Sequence, residues 1–258
     1  MDTTAPRAVI FLPGSIQPAA IQYAPLLGAL GGHILPLLKD LEVYAGAQPA
    51  PDYSLSTEVE SLRKSADAAG FERFNLVGYS GGGAVALAFS AAYPERVRSL
   101  ALSEPAVIPA QEWLQKESDY FSEITRAMSL PPAEQMAAFF RANLRPGVQP
   151  PAPPAGEPPA WMAKRPQGLK AMVRAFSEAS CTYDQWRNFA NPVYIAVGSR
   201  SNPVEERKAL TLSDLFQDCQ VEIYPERHHF DPPQRAEPER FARELEGLWM
   251  RTAESELE

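Results

Sequence analysis

The chain has 258 residues, enough for one large domain with an insertion, and at 45% hydrophobic and 22% charged it has the composition of an ordinary globular protein. Its formal net charge of −8 argues against nucleic acid or an anionic membrane as a partner, because both demand clustered Lys and Arg. No apolar run approaches the roughly 20 residues of a membrane span. The start, MDTTAPRAVIFLPG, lacks the basic opening and long apolar stretch of a secretory signal, so a cytoplasmic location is expected. Cys181 and Cys219 form no CxxC pair and are expected as two buried thiols in a reducing compartment rather than a disulfide.

Ala8 to Leu12 is a short apolar run ending at Pro13-Gly14, which predicts a buried strand and a turn. Ile21 to Leu30 carries Tyr23, Leu26, Leu27 and Leu30 at helical spacing. Leu41 to Tyr44 is a second strand candidate. Thr57 and Glu60 have the spacing of a capping box, and Val59, Leu62, Ala66 and Ala69 continue one helical face to Gly70. Phe74 to Val77 reads as a strand, Gly81 to Tyr93 as a helix ended by Pro94, and Val97 to Ser103 as a further strand. This alternation predicts a mostly parallel sheet covered on both faces.

From Pro105 to about Asn191 no strand is expected. Trp113, Leu114, Glu117, Tyr120, Phe121, Ile124 and Met128 outline one amphipathic helix. Pro132 to Leu144 and Leu169 to Phe176 outline two more, separated by the extended Pro-rich connector from Arg145 to Ala160. The alternation resumes with strands over Pro192 to Gly198 and Gln220 to Tyr224, and a last helix starts near Pro238. The division expected is a core from 1–104 and 192–258 with a helical cap inserted at 105–191.

Gly78-Tyr79-Ser80-Gly81-Gly82 has the pattern G-x-S-x-G between a strand and a helix. A sharp turn there projects the serine Oγ from the carboxyl edge of the sheet. Positions two before and two after the serine crowd each other, so both are small. The helix behind the serine offers free N–H groups and the positive end of its dipole, which suit an oxyanion. The bland alternative is a Gly-rich turn without chemistry.

With FLPG, GYSGG, AAYPERV and the late HHF segment, the chain resembles the α/β-hydrolase fold family over most of its length. The resemblance implies a mostly parallel sheet flanked by helices, with a cap after the strand that follows the nucleophile. The sequence opens directly at the strand before the oxyanion turn, so about six strands are expected. The family order of serine, acid, histidine places the base late in the chain. His229, followed by Phe230 and then Pro238-Glu239, fits that register best, with His228 as the alternative. His33, far ahead of the elbow, reads as structural or surface. The His pair has no further His or Cys cluster with which to form a metal site, so no metal or cofactor is expected.

The acid is where the sequence departs from the family. The usual place is the loop GSRSNP after Pro192–Gly198, which has no carboxylate. The other place used in the family is the end of the strand after the nucleophile helix, where Glu104 stands. Glu104 is therefore the expected acid, the alternatives being a serine–histidine pair without an acid, or Glu205 or Glu206 in a stretch, EERK, that reads as the solvated start of a helix. For the oxyanion hole the resemblance implies the N–H of Gly81 and that of Ser15, with Ile16 as the neighbouring candidate. The function expected is a serine hydrolase of an ester or lactone with an apolar group, acting on a small molecule. A relative with other chemistry, such as C–C or amide hydrolysis, perhydrolysis or a cofactor-free reaction, and a non-catalytic binder are the alternatives. The sequence gives no oligomeric state.

Overall fold

The computed structural model describes residues 6–150, 152 and 157–255. Six strands form one sheet in the order β2-β1-β3-β4-β5-β6, and every neighbouring pair is parallel. They are β1 (Arg7–Leu12), β2 (Ile34–Leu38), β3 (Phe74–Tyr79), β4 (Val97–Ser103), β5 (Val193–Gly198) and β6 (Cys219–Tyr224). Their side chains alternate between two cores, as a period of two demands. Ile10, Leu12, Leu76, Leu100, Leu102 and Ile195 face the larger one. Val9, Phe11, Val77, Ala101, Tyr194 and Ala196 face the other. Helices α1 (Ala19–Leu30) and α11 (Pro238–Ser255) cover the smaller core. Helices α2 (Leu55–Ala68), α3 (Gly81–Ala92) and α9 (Val204–Leu215) line the larger one.

Two expectations about the N-terminal half need correction. Leu41 to Tyr44 is not a strand: Glu42–Tyr44 is a single 3₁₀ turn. The carboxylate of Glu58, buried in α2, accepts the N–H groups of Glu42 at 2.8 Å and Val43 at 3.0 Å, so those amides need no strand partner. The second strand is instead Ile34–Leu38, which pairs with the outer side of β1. Its Pro36 is compatible with an edge position, where one side of the strand has no ladder to supply. The capping box is formed by Ser54 and Thr57, not Thr57 and Glu60. Glu58 also accepts from the Tyr53 hydroxyl at 2.8 Å. Burial pushes its carboxyl up, and those three donors pull it back down. Glu58→Ala is expected to destabilise the fold by about 2–3 kcal/mol, the cost of orphaned buried donors. A urea unfolding midpoint at unchanged m-value is the check.

Between β4 and β5 run α4 (Gln111–Lys116), α5 (Ser118–Met128), α6 (Pro132–Ala142), α7 (Arg165–Ser177) and α8 (Tyr183–Arg187). The single helix expected from Trp113 to Met128 is two. It breaks at Glu117, whose carboxylate is held by the Arg207 guanidinium of α9 at 2.9 and 2.7 Å. Of the Pro-rich connector, residues 151 and 153–156 lie outside the described residues. The end of α6 docks on the loop after β5. Asn202 N–H donates to the Asn143 carbonyl at 3.0 Å, its side chain to that of Ala142 at 2.8 Å, and Arg145 N–H to that of Arg200 at 3.0 Å. Cys181 and Cys219 are free and half-buried rather than fully buried, and burial pushes their thiols up to about 11 and about 12. They are therefore protonated at neutral pH.

Candidate active site

Parallel strands put all their carboxyl ends along one edge of the sheet, and loops at that edge carry ligand and catalytic groups. Ser80 occupies the turn between β3 and α3 with φ of 50°. That left-handed backbone costs on the order of 1–3 kcal/mol for a residue with a side chain. It is held by the Ser80 N–H donating to Ser103 at 3.1 Å, and by the N–H groups of Ala84 and Ala106 donating to the Ser80 carbonyl. The crowding expected around the serine is present. A Cβ on Gly78 would lie 2.7 Å from the Gly82 carbonyl, and one on Gly82 would lie 2.5 Å from that of Pro13.

The structure brings Ser80, His229 and Glu104 together. Ser80 Oγ is 2.9 Å from His229 Nε2, and His229 Nδ1 is 2.8 Å from Glu104 Oε2. All three are buried, at 5%, 1% and 5% exposure, so their interactions are little screened by water. His229 sits in the loop after β6, where the Tyr79 hydroxyl donates to its carbonyl. Phe230 packs edge-on against Phe140 of α6 at a centroid distance of 4.5 Å and so ties the same loop to the inserted helices. Glu104 follows β4 directly, also with positive φ, at 41°. Its second oxygen, Oε1, accepts from Gly198 N–H and Ser201 Oγ, both at 2.6 Å. Ser201 thus stands in the loop where a family acid is usual, and it holds the carboxylate that comes from the neighbouring strand.

The other candidates separate clearly. His228 is half-buried and its Nδ1 accepts from Phe230 N–H at 3.2 Å, away from Ser80. Burial lowers its pKa. His33 is exposed at the turn before β2. Glu206 is on the surface, 2.6 Å from Arg145. Glu205 is not solvated as its sequence context implies. It is 1% exposed and 2.7 Å from the ammonium of Lys208, which is 0% exposed. The first turns of α9 lay this pair against the loop after β4. Donor atoms of Glu104, Glu205 and His229 lie within 4.8 Å of one another. The cation beside that cluster is Lys208. Neither Ser201 nor Lys208 was a candidate from sequence, since a lone serine and a lysine in EERK carry no distinguishing pattern.

The loop after β1 is tied down by donors from three other segments. The Leu12 carbonyl accepts from the Tyr23 hydroxyl at 2.7 Å, and that of Pro13 from Gly82 N–H at 3.0 Å. The Ser15 carbonyl accepts from the Tyr44 hydroxyl at 2.9 Å. Ser15 and Gly81 are neighbours: a Cβ on Gly81 would lie 2.4 Å from Ser15 Oγ. Among the described residues, no group takes up the N–H of Ser15, Ile16 or Gly81. In front of Ser80, a narrow pocket is closed by Tyr120, Phe121, Phe139, Met172 and Phe176 from α5, α6 and α7. Its few polar lining groups include Asn143, whose Oδ1 accepts from the Tyr120 hydroxyl at 3.0 Å. Among the described residues no helix is long and apolar enough to cross a membrane.

The family described as the alpha/beta hydrolase fold matches residues 44–235, more than half of the chain. No curated protein matches it in sequence. A thermophilic esterase from Thermogutta terrifontis, solved with malate bound, superposes with a TM-score of 0.70 at 16% identity, over 97% of this chain and 92% of its own. NosK from Streptomyces actuosus gives 0.67 at 17% identity, over 96% of this chain and 99% of its own. A meta-cleavage product hydrolase from Pseudomonas fluorescens IP01 gives 0.63 at 18% identity, over 96% and 92%. At such identities the likeness is one of fold, and it agrees with the family match. The chain belongs to the α/β-hydrolase fold family and is a hydrolase.

Proposed function

We propose that this protein is a serine hydrolase that cleaves a carboxylic ester or lactone bearing an apolar group, through a Ser80–His229–Glu104 triad and an acyl-enzyme. The observation that carries the reading is the unbroken relay from Ser80 Oγ to His229 Nε2 and from His229 Nδ1 to Glu104 Oε2. His229 takes the Ser80 proton as Oγ attacks the carbonyl carbon. The Gly81 and Ser15 N–H groups receive the oxyanion, and each such donor is worth about 10²–10³ in rate. Protonated His229 then returns its proton to the leaving alcohol. A water, deprotonated by His229 in turn, releases the acid. Glu104 keeps the imidazole in the tautomer with Nδ1–H and stabilises its cation. The inserted helices serve as a cap, and their aromatic and Met side chains at the pocket favour an apolar acyl or leaving group.

The likeness to a meta-cleavage product hydrolase supports a second reading, in which the same residues hydrolyse a carbon–carbon bond next to a carbonyl. Intact mass after incubation with a fluorophosphonate tests the nucleophile. One adduct on the wild type and none on Ser80→Ala is expected, whereas an unlabelled wild type would count against both readings. Product analysis on aryl esters, lactones and a vinylogous diketone separates the two.

A further inference from the structure

Behind the histidine lies a charged pair that the relay does not use. Glu205 and Lys208 are one helical turn apart at the start of α9, both fully enclosed, with 2.7 Å between Oε2 and Nζ. Lys208 also donates to the carbonyl oxygens of Pro105 and, at 3.3 Å, Ala106, the two residues that follow Glu104. Neither carboxylate oxygen of Glu205 is engaged in a well-aligned hydrogen bond. Yet this carboxylate lies within 4.8 Å of both a Glu104 oxygen and a His229 nitrogen. Burying two ions costs several kcal/mol each, and an apolar pair of the same volume often serves stability as well or better. Stability alone therefore gives little reason for an under-bonded carboxylate at this place.

We propose that Glu205 is a second carboxylate of the Ser80 site, a positioning residue that stabilises the His229 imidazolium through space while Lys208 keeps it ionised. The proposal rests on the serine-hydrolase reading. The charges alternate along the cluster: Lys208 ammonium, Glu205 carboxylate, His229 imidazolium, Glu104 carboxylate. Lys208 has a second task, fixing the carbonyls just beyond the left-handed turn at Glu104. Burial is the largest influence and holds the Glu205 carboxyl above its ordinary value, with the Glu104 charge adding to it, while Lys208 and His229 pull it down. The other titratable and charged groups around His229 and Glu205 are Tyr79 on β3, Tyr120 on α5, His228 and Asp231 in the histidine's own loop, Arg207 on α9, and Arg235 on α10 (Pro233–Ala236). Asp231 is tied to Arg227 at 2.7 Å. All of these are unchanged in the variants below.

The signs follow from the charges. Removing the Glu205 charge destabilises the imidazolium, so the acid limb of kcat/KM moves to lower pH. Removing the Lys208 charge lets the enclosed Glu205 carboxyl take up a proton, which leaves a neutral pair and moves the limb less far in the same direction. Glu205→Gln is expected to shift the limb down by about one pH unit and to lower the plateau about ten-fold. Lys208→Met, which neutralises both groups, is expected to give a smaller downward shift. The double variant, an isosteric neutral pair, is expected to fold and to return the limb towards its original position.

The same shifts are to be read from the His229 ring by NMR titration, assigned with a His229→Gln variant, which needs no turnover. A shift that is largest for Glu205→Gln and partly reversed in the double variant is beyond a purely structural role. If Glu205→Gln leaves both the limb and the ring titration in place, or if the double variant shifts them as far as Glu205→Gln does, the proposal is overturned. Where Lys208→Met does not fold, Glu205→Gln against the double variant decides. Wild-type turnover that survives Ser80→Ala, with the ring shifts present, would instead remove the serine-hydrolase reading and leave the charge coupling standing.

Discussion

Ser80→Ala is expected to lower kcat/KM for an aryl ester by at least about 10⁴-fold while the fold and KM stay close to those of the wild type. The size follows from the loss of the attacking atom itself, since the remaining oxyanion amides and pocket can only assist water. Unchanged folding follows from the local bonding. The left-handed turn is held through Ser80's backbone, by Ser103, Ala84 and Ala106, whereas the Oγ makes the one bond to His229. Steady-state kinetics and a thermal unfolding midpoint on the same sample make the measurement. A variant within ten-fold of wild type would show that another group attacks.

Glu104→Gln is expected to reduce kcat about 10³-fold with little change in KM. The reason is a tautomer. Oε1 accepts from Gly198 N–H and Ser201 Oγ, so the amide oxygen of glutamine must take that side. Its NH₂ group then faces His229 Nδ1. Facing a donor, Nδ1 becomes the acceptor, and the ring proton moves to Nε2, the atom that has to receive the Ser80 proton. Fluorophosphonate labelling should slow in parallel with turnover. Labelling at the wild-type rate would mean that Glu104 does not set the tautomer.

The four inner strands, β1, β3, β4 and β5, were legible because they are largely buried on both faces and read as near-continuous apolar runs, as AVIFL and PVYIAV do. The elbow was legible because close approach leaves room only for glycine at 78 and 82. The errors have local causes. Leu41 to Tyr44 is as apolar as a strand, but its amides find Glu58, a partner from another helix that no window around residue 42 contains. The strand at Ile34–Leu38 hides behind Pro36, which only an edge position tolerates. Helix α4 parts from α5 at Glu117, whose carboxylate pairs with Arg207, some ninety positions later. Glu205 and Lys208 look solvated in EERK because helical periodicity says which residues share a face, but not what covers that face.

With Glu104 as the proposed acid, the place it comes from has a mechanical consequence. The loop after β5 contributes no carboxylate here, and it does two other things at once. Through Arg200 and Asn202 it grips the end of α6, and through Ser201, between them, it holds Glu104. An excursion of the inserted helices wide enough to admit a bulky substrate must either break that grip or drag Ser201 with it. In the second case the carboxylate loosens as the pocket opens and is seated again as it shuts. In that case entry and readiness are geared together, and a two-residue spacing along one loop is the gear.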